Sequence, residues 1–566
     1  VTAWIEALLL LIVLTALTPA LGGYLAGIFE AERSPVRRWF GPFERLLYRL
    51  CRIDEHHEMG WREYLVAVLL FSVVSGFALF VALIVQRGLP LNPQHFAAVA
   101  PLLALNIAVS FVTTTDWQAY AGESTLSNLS QMLLGWQNFV SAAAGLAVAI
   151  AVIRGFTRSR GTTLGNFWVD LTRSVFYVLL PLSIIGAALF IWQGTPQNFA
   201  PDVAARTVEG ASQTIPTGPI ASQEIIKQLG ANGGGFVAAN SAAPIENPTP
   251  LTDFAQFLAM FIIGAALTNT FGRLVGDVRQ GWMLYAVMVA LFIGGFAAVW
   301  GAEHMGNPLI HQLGAAGPNL EGKEQRFGDA SSALSVTVAT DTSSGASNVA
   351  YDSLMPLSAL VALINMQIGE VVFGGVGSGL YGMILIVMLT VFIAGLMVGR
   401  APEYLGKKIE RREITLIVAA FLIPAATTLV PVAIALPAAL SAVGNAGPRG
   451  FTEILYAFTS VTASNGSAMG GLAINTTFYD IATAIVMLIG RFSTIVIVLA
   501  LAGGLAAKAR NPALTPGQLS TATPFFGMLV AVTTLVVTAL TFVPADALGT
   551  LAEHYAMQEG SSFSSP

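Results

Sequence analysis

The stretch Gly230-Ala231-Asn232-Gly233-Gly234-Gly235-Phe236 decides how this chain folds. Four glycines in seven residues rule out a stable helix, since each costs about 1 kcal/mol against Ala in a helix interior. Directly before it lies a half-length apolar stretch, 220–229. Three more stretches of this kind, 96–112, 330–339 and 451–461, also run into polar clusters. These clusters are Val112-Thr113-Thr114-Thr115-Asp116-Trp117-Gln118, Asp341-Thr342-Ser343-Ser344-Gly345-Ala346 and Thr462-Ala463-Ser464-Asn465-Gly466-Ser467. Asp116, Gly233, Gly345 and Gly466 occupy equivalent places, 112 to 121 residues apart. A bilayer crossing takes about 20 apolar residues, so the half-length stretches are too short to span. They fit re-entrant half-helices; a soluble loop with buried patches is the alternative.

The rest of the chain supplies the membrane. Of 566 residues, 55% are hydrophobic and 10% charged; soluble domains carry about 25% charged residues. Mean hydropathy is +0.70. The composition excludes a disordered chain. A single cysteine, Cys51, excludes an internal disulfide framework. The net charge of −5 does not point to a nucleic-acid partner. Ten spans are expected, at 3–28, 63–86, 128–153, 170–192, 252–272, 282–304, 380–399, 414–440, 478–504 and 522–545. The first reads as a true span and not a cleaved leader, because it is long and has no basic segment before it. Each interval between equivalent clusters holds two spans, so the fold class is an all-α polytopic membrane protein with four span–half-helix–turn–span repeats. The expected divisions are 1–62 (first span and basic loop), 63–153, 154–272, 273–399 and 400–507 (the repeats), and 508–566 (last span and tail).

Sidedness follows from the basic residues. Alternate connections hold nineteen of the 27 Lys and Arg, from Arg33 to Arg62, Arg154 to Arg160, Arg273 and Arg279, Arg400 to Arg412, and Lys508 and Arg510. The opposite side holds Arg87, Arg206, Lys227, Lys323, Arg326 and Arg449, and Arg173 and Arg491 fall within spans. Both termini are therefore expected outside.

Non-helical backbone at membrane depth survives only where it is buried or lines a wet cavity. Glycine allows backbone conformations that turn carbonyls in one direction. Four such turns around an axis form a ring of carbonyl oxygens able to replace the hydration shell of a cation, with the negative ends of the half-helices aimed at it. Neutral oxygens favour a monovalent ion over Mg²⁺ or Ca²⁺. Asp116 and Asp341 lie beside this ring. Two readings stay open for them: charges that draw cations to the mouth, or turn residues bonded to nearby backbone.

Gly369, Gly374, Gly375, Gly377, Gly379 and Gly382 fall within fourteen residues, which predicts a broken helix beneath the third turn. Gly377 to Gly382 also matches GxGxxG, but a nucleotide site needs a strand before it. Arg491 lies mid-span, where insertion costs about 2.5–3.5 kcal/mol. It needs a partner or a wet cavity, and Glu370 is the candidate partner or an ion-facing carboxylate.

Several stretches together resemble the potassium-binding A subunits of bacterial Kdp-type potassium-transporting ATPases, within a superfamily of K⁺ transporters. They are Ser110-Phe111-Val112-Thr113 with Trp117-Gln118 and Gly122-Glu123, the segment from Leu229 to Phe236, and the long run Gln367-Ile368-Gly369-Glu370-Val371-Val372-Phe373-Gly374-Gly375-Val376-Gly377-Ser378-Gly379-Leu380-Tyr381-Gly382. Gly399-Arg400 with the run from Pro402 to Lys408, and Gly490-Arg491-Phe492, complete the set. The resemblance implies K⁺ selection without hydrolysis, in the bacterial inner membrane. It also implies partner subunits B, C and F. The first of these is a P-type ATPase, on which ATP and Mg²⁺ would act, and the other two are small. K⁺ is the transported ion, no organic cofactor is implied, and bilayer lipids are the other neighbours. Carried over residue by residue, the selectivity filter falls on Thr114, Thr115, Asp116, Gln118, Ala231, Asn232, Gly233, Ser343, Ser344, Gly345, Ser464, Asn465 and Gly466. The gating loop falls on Glu370, Gly374, Gly375, Gly377 and Gly379, with Arg491 as a coupling residue. Arg400 and its basic loop would dock the P-type ATPase or simply set topology. Asp116 stands where the family pattern has Asn, and Ser344 and Ser464 also depart from it.

A stand-alone four-repeat channel or ion-coupled symporter is the alternative. The chain holds no D-K-T-G sequence and no G-x-x-x-x-G-K-[ST] loop. Its six histidines, His56, His57, His95, His304, His311 and His554, form no metal-binding spacing. An intramembrane enzyme would need clustered acid and base residues at one depth, which the sequence lacks.

Overall fold

The computed structural model describes residues 2–30, 37–397, 399, 401–510 and 520–560. Arg33 and Arg400 lie outside the described residues. Among the described residues, ten helices are long and apolar enough to cross a bilayer; each overlaps an expected span, and the last runs to Gln558, past the expected end at 545.

The elements run in chain order. Helix α1 is Thr2–Phe29, and α2 (Arg37–Cys51) is a shorter amphipathic helix. The first repeat is α3 (Trp61–Ile84), half-helix α4 (Pro101–Val112) and α5 (Asn128–Thr157). The second is α6 (Phe167–Gln193), half-helix α7 (Ile220–Leu229) and α8 (Pro250–Leu274). The third is α9 (Val278–Met305), half-helix α10 (Gly328–Asp341) and a broken partner made of α11 (Pro356–Gln367) and α12 (Ser378–Met397). The fourth is α13 (Arg411–Ala438), half-helix α14 (Gly447–Ala463) and α15 (Thr477–Ala507). Helix α16 (Pro524–Gln558) closes the described chain.

Burial separates the two spans of each repeat. In the second helices α5, α8, α12 and α15, 94, 72, 56 and 61% of the apolar stretch is buried. In the first helices α3, α6, α9 and α13 the shares are 22, 33, 44 and 22%. The second helices therefore form an inner ring, and the first face lipid. Small residues bring the inner helices together, as expected where lipid removes the hydrophobic drive for association. A Cβ on Gly155 of α5 would lie 2.8 Å from the Ala502 Cα of α15.

The all-α class holds, with a little sheet at the connections. Three two-stranded antiparallel pieces are present: β1 (Met59–Gly60) with β2 (Thr163–Gly165), β3 (Val203–Arg206) with β4 (Ser212–Ile215), and β5 (Glu403–Tyr404) with β6 (Lys407–Lys408). Each joins or caps connections outside the spans, where backbone has no helical partner. Helix α2 was also not anticipated, because its arginines read only as a basic loop. It turns Gly41, Glu44 and Tyr48 inward and leaves Trp39, Phe43, Leu46 and Leu50 exposed. Glu44 accepts from Tyr48 Oη at 2.8 Å and from the Tyr177 hydroxyl, and faces Arg173 Nε at 3.4 Å.

Cys51 is exposed at the end of α2 on the basic side. A membrane-impermeant maleimide is expected to label it in inverted vesicles and to leave right-side-out vesicles unlabelled. Labelling only in right-side-out vesicles would invert the topology.

Candidate functional site

Each half-helix ends in the same kind of turn. Residues 116, 233, 345 and 466 all adopt left-handed backbone, with φ of 50, 90, 63 and 87°. Two positions earlier, Thr114, Ala231 and Ser464 do so too, with φ of 60, 45 and 70°. Non-glycine residues hold this conformation only when their surroundings enforce it. The enforcing bonds repeat. The amides of Thr115, Asn232 and Asn465 donate back to the carbonyls of Ser110, Lys227 and Ser460 at 3.0, 3.0 and 2.9 Å. The third turn differs, which accounts for Ser343 keeping ordinary backbone: Gly345 N donates to Ala339 O at 3.0 Å and Ser344 N to Thr342 Oγ1 at 3.3 Å.

The four turns close into a ring. A Cβ on Gly233 would lie 1.5 Å from the carbonyl oxygen of Ser344, linking the second turn to the third. One on Gly345 would lie 2.3 Å from Asn465 O, and one on Gly466 1.9 Å from Thr115 O, linking third to fourth and fourth to first. The fourth side is Asp116, whose Cβ lies 3.3 Å from where Gly234 would carry one. Asp116 keeps its side chain where the other three repeats have glycine, because the second repeat answers with a glycine of its own.

The carbonyls of this ring set it apart from ordinary packing. Those of Thr114, Thr115, Ala231, Asn232, Ser343, Ser344, Ser464 and Asn465 accept no hydrogen bond among the described residues. The flanking carbonyls of Thr113, Thr342 and Gly345 do accept one. All eight residues are buried. More than 90% of buried main-chain carbonyls are normally paired, so unpartnered carbonyls brought together from four repeats are unusual.

Side chains brace the ring from behind. Gln118 binds both polar groups of Gly235, Nε2 to O at 2.9 Å and Oε1 from N at 3.1 Å, tying the first turn to the second. Asn465 Nδ2 donates to Ala339 O at 2.9 Å and Thr342 O at 3.1 Å, tying the fourth to the third. Behind the second turn the buried Lys227 lies 2.6 Å from Glu224 and 2.7 Å from Glu246, and Glu246 also accepts from Val237 N at 2.8 Å. The sequence reading missed this triad and counted Lys227 as a loop charge. The i,i+3 spacing of Glu224 and Lys227 inside a half-helix was the available signal.

Cavities lie on both sides. The outer one, about 350 Å³, is lined by Asp116, Gln118, Gly234, Gly345, Gly466 and Tyr351, among others. Asp116 borders this cavity while itself buried. Asp341 does not line this cavity. It ends α10, and its carbonyl oxygen lies 3.3 Å from where a Cβ on Gly374 would sit, placing it at the inner loop.

The inner cavity, about 140 Å³, is bordered by Ser343, Ser464, Glu370, Arg491 and threonines 534, 538 and 541 of α16. Residues 368–377 form the break between α11 and α12. Within it Gly369, Glu370, Phe373 and Gly377 have φ of 85, 50, 48 and 98°. The loop crosses to two other repeats. A Cβ on Gly145 of α5 would meet Val376 O at 2.4 Å, and one on Gly264 of α8 would meet Phe373 O at 2.2 Å. Gly375 faces Ser343 Oγ beneath the third turn, Gly377 faces Gly145 O, and Gly379 packs on Gly374. The loop thus lies across the axis directly under the ring.

Arg491 and Glu370 share the inner cavity without pairing. No carboxylate lies within 4.0 Å of Arg491 among the described residues, and both Glu370 carboxylate oxygens lack a protein partner. Of the two readings the sequence left for Glu370, partner of Arg491 or ion-facing carboxylate, direct contact with Arg491 is the one this geometry does not show.

Fold and site together define a multi-pass transport protein of the four-repeat, re-entrant-helix class. Residues 8–555 match the family model described as potassium-transporting ATPase A subunit, and the chain belongs to that family. It is 50% identical over 564 residues, 99% of each chain, to the potassium-transporting ATPase potassium-binding subunit of Mesorhizobium japonicum. It is 52% identical to the protein of that description from Methylorubrum extorquens, over 99% of this chain and 98% of the relative. Among solved structures, the potassium transporter TrkH from Vibrio parahaemolyticus superposes with a TM-score of 0.54 at 16% identity, covering 88% of this chain and 97% of that one. This last likeness concerns the fold alone.

Two glycines with left-handed backbone separate ring packing from ordinary strain. Gly194 has nothing within 4 Å of a Cβ position, whereas Gly345 is crowded by Asn465. Gly194→Ala is expected to cost about 1–2 kcal/mol, the penalty for left-handed backbone alone. Gly345→Ala adds overpacking of about 1–3 kcal/mol, seen as the larger drop in thermal unfolding temperature. Equal drops would count against the tight ring.

Proposed function

We propose that this chain is the K⁺-selecting, non-hydrolytic subunit of an ATP-driven uptake complex in a bacterial inner membrane, with both termini on the outer side. The observation that carries the proposal is the set of eight unpartnered carbonyls converging from four repeats. A potassium ion drawn by Asp116 into the outer cavity would exchange its water for these oxygens. Gln118, Asn465 and the Lys227 triad hold the ring at fixed spacing, so a smaller ion cannot draw the oxygens inward without breaking those braces. Neutral oxygens alone suit a monovalent ion.

Below the ring the loop at 368–377 blocks the straight path. The ion would leave sideways, through the inner cavity past Ser343, Glu370 and the threonines of α16. Arg491 places an unpaired positive charge on α15 at this level, which repels a cation from the axis and turns it toward Glu370. A partner P-type ATPase would receive the ion there and supply the energy from ATP and Mg²⁺, with small subunits C and F completing the complex and Arg400 at the docking side. The relatives' names support a multi-subunit ATPase. The crossing loop and the lateral cavity favour this reading over a stand-alone channel or symporter, which needs an axial exit.

Gly233→Asp, Gly345→Asp and Gly466→Asp are each expected to raise the K⁺ half-saturation of ATP hydrolysis by the assembled complex tenfold or more, and to narrow its preference for K⁺ and Rb⁺ over Na⁺. Unchanged half-saturation in all three would remove the ring as the selecting site. Arg491→Met is expected to leave assembly intact while uncoupling hydrolysis from K⁺ uptake. Normal coupling in that variant would refute the steering role.

A further inference from the structure

On the basic side, the β5–β6 hairpin folds back under the bundle. Tyr404 is fully buried there, its ring 5.6 Å from Phe156 of α5. Phe156 in turn stands 6.1 Å from Phe271 of α8. The hairpin follows α12, and its second strand reaches α15. It therefore packs on the end of α5, beside α8, and ties α12 to α15 on the basic side.

Lys407 does the reaching. Its Nζ donates to the carbonyls of Arg158, Leu505 and Lys508 at 2.5, 2.9 and 2.7 Å. Arg158 caps the C-terminus of α5, and Lys508 caps that of α15. An ammonium has three N–H donors, and all three are used. The residue is fully buried, yet no carboxylate lies within 4.0 Å among the described residues. The nearby acids Glu410 and Glu413 instead pair with Lys508, at 3.0 and 2.6 Å.

This is unlike the other buried lysines. Lys227 has Glu224 and Glu246, and Lys323 has Glu303 at 2.7 Å. A buried charge normally needs such an opposite charge. Lys407 is held by main-chain oxygens alone, at two helix C-termini whose dipoles favour a cation. Burial and the neighbouring charges of Arg510 and Lys508 lower its pKa to about 8, so it still carries its proton at neutral pH.

We propose that these carbonyls form a second cation cage, filled by the chain's own ammonium, and that Lys407 thereby latches the hairpin as a seal across the basic end of the central axis. The seal is a second barrier, independent of the crossing loop. It closes the direct route to the basic side and leaves the lateral path as the outlet. The inference rests on the reading that the ring admits K⁺.

The test uses the complete complex reconstituted in vesicles, with passive Rb⁺ flux measured without ATP. Lys407→Ala is expected to raise that flux tenfold or more while leaving the K⁺ half-saturation of ATP hydrolysis unchanged. Added methylammonium or ethylammonium, a free ammonium of the same chemistry, is expected to close the leak in Lys407→Ala and to do nothing in the parent. A lysine that only ties helices together would not give a leak that an alkylammonium ion closes. Should Lys407→Ala not assemble, Lys407→Gln keeps two donors without the charge and is expected to leak in the same direction. A variant as tight as the parent, or a leak indifferent to alkylammonium, would overturn the latch. If the parent complex itself shows no K⁺-stimulated hydrolysis, it is the transport reading that fails.

Discussion

A main-chain carbonyl buried without a hydrogen-bond partner is costly, about 1–3 kcal/mol for the desolvation left uncompensated. This protein places eight of them around one axis. Most of the surrounding architecture serves that arrangement. The four half-helices direct their C-terminal ends at it, and the left-handed backbone of Thr114, Ala231 and Ser464 turns the oxygens away from their own helices. The cost is offset by the inner helices, whose close packing supplies burial, and by side chains that commit their polar groups to neighbouring turns instead of to the axis. Gln118 and Asn465 are the clearest cases, since each bonds main-chain groups of an adjacent repeat.

One chain supplying four unequal turns can differentiate them. The first carries a carboxylate, Asp116, at the outer mouth. The second is backed by a buried charge triad. The third uses Thr342 Oγ1 and Ala339 O in place of the bond that the other repeats make. The third is also the repeat whose inner helix is broken, so its irregular turn and the crossing loop meet at Ser343 and Gly375. Departure from fourfold symmetry is thus concentrated where ions would be turned from the axis.

Much of this was legible in the sequence. The ten spans follow from apolar length, and the ring follows from glycine-bearing turns recurring after half-length helices. The glycine run from 369 to 382 announced the broken helix. Other features were hidden for physical reasons. Glu370 and Arg491 carry opposite charge at one depth, but whether they touch depends on rotamers and on the path of the loop between them. Asp341 sits beside the third cluster in sequence yet faces inward, because α10 runs on past the end of its apolar stretch. Gln118 stood out only through family resemblance; that it bridges two repeats is a long-range contact no spacing encodes. Lys407 read as one more positive charge on the basic side, since three carbonyls from two distant helices leave no trace in the chain's order.

The central claim is that main-chain oxygens from all four repeats hold one dehydrated monovalent cation. Anomalous scattering from the assembled complex soaked in Tl⁺ tests this most directly. The account predicts a peak on the axis within coordination distance of carbonyls from Thr114–Thr115, Ala231–Asn232, Ser343–Ser344 and Ser464–Asn465 together. A ring without Tl⁺, with the ion instead against Asp116 or Glu370 alone, would contradict it.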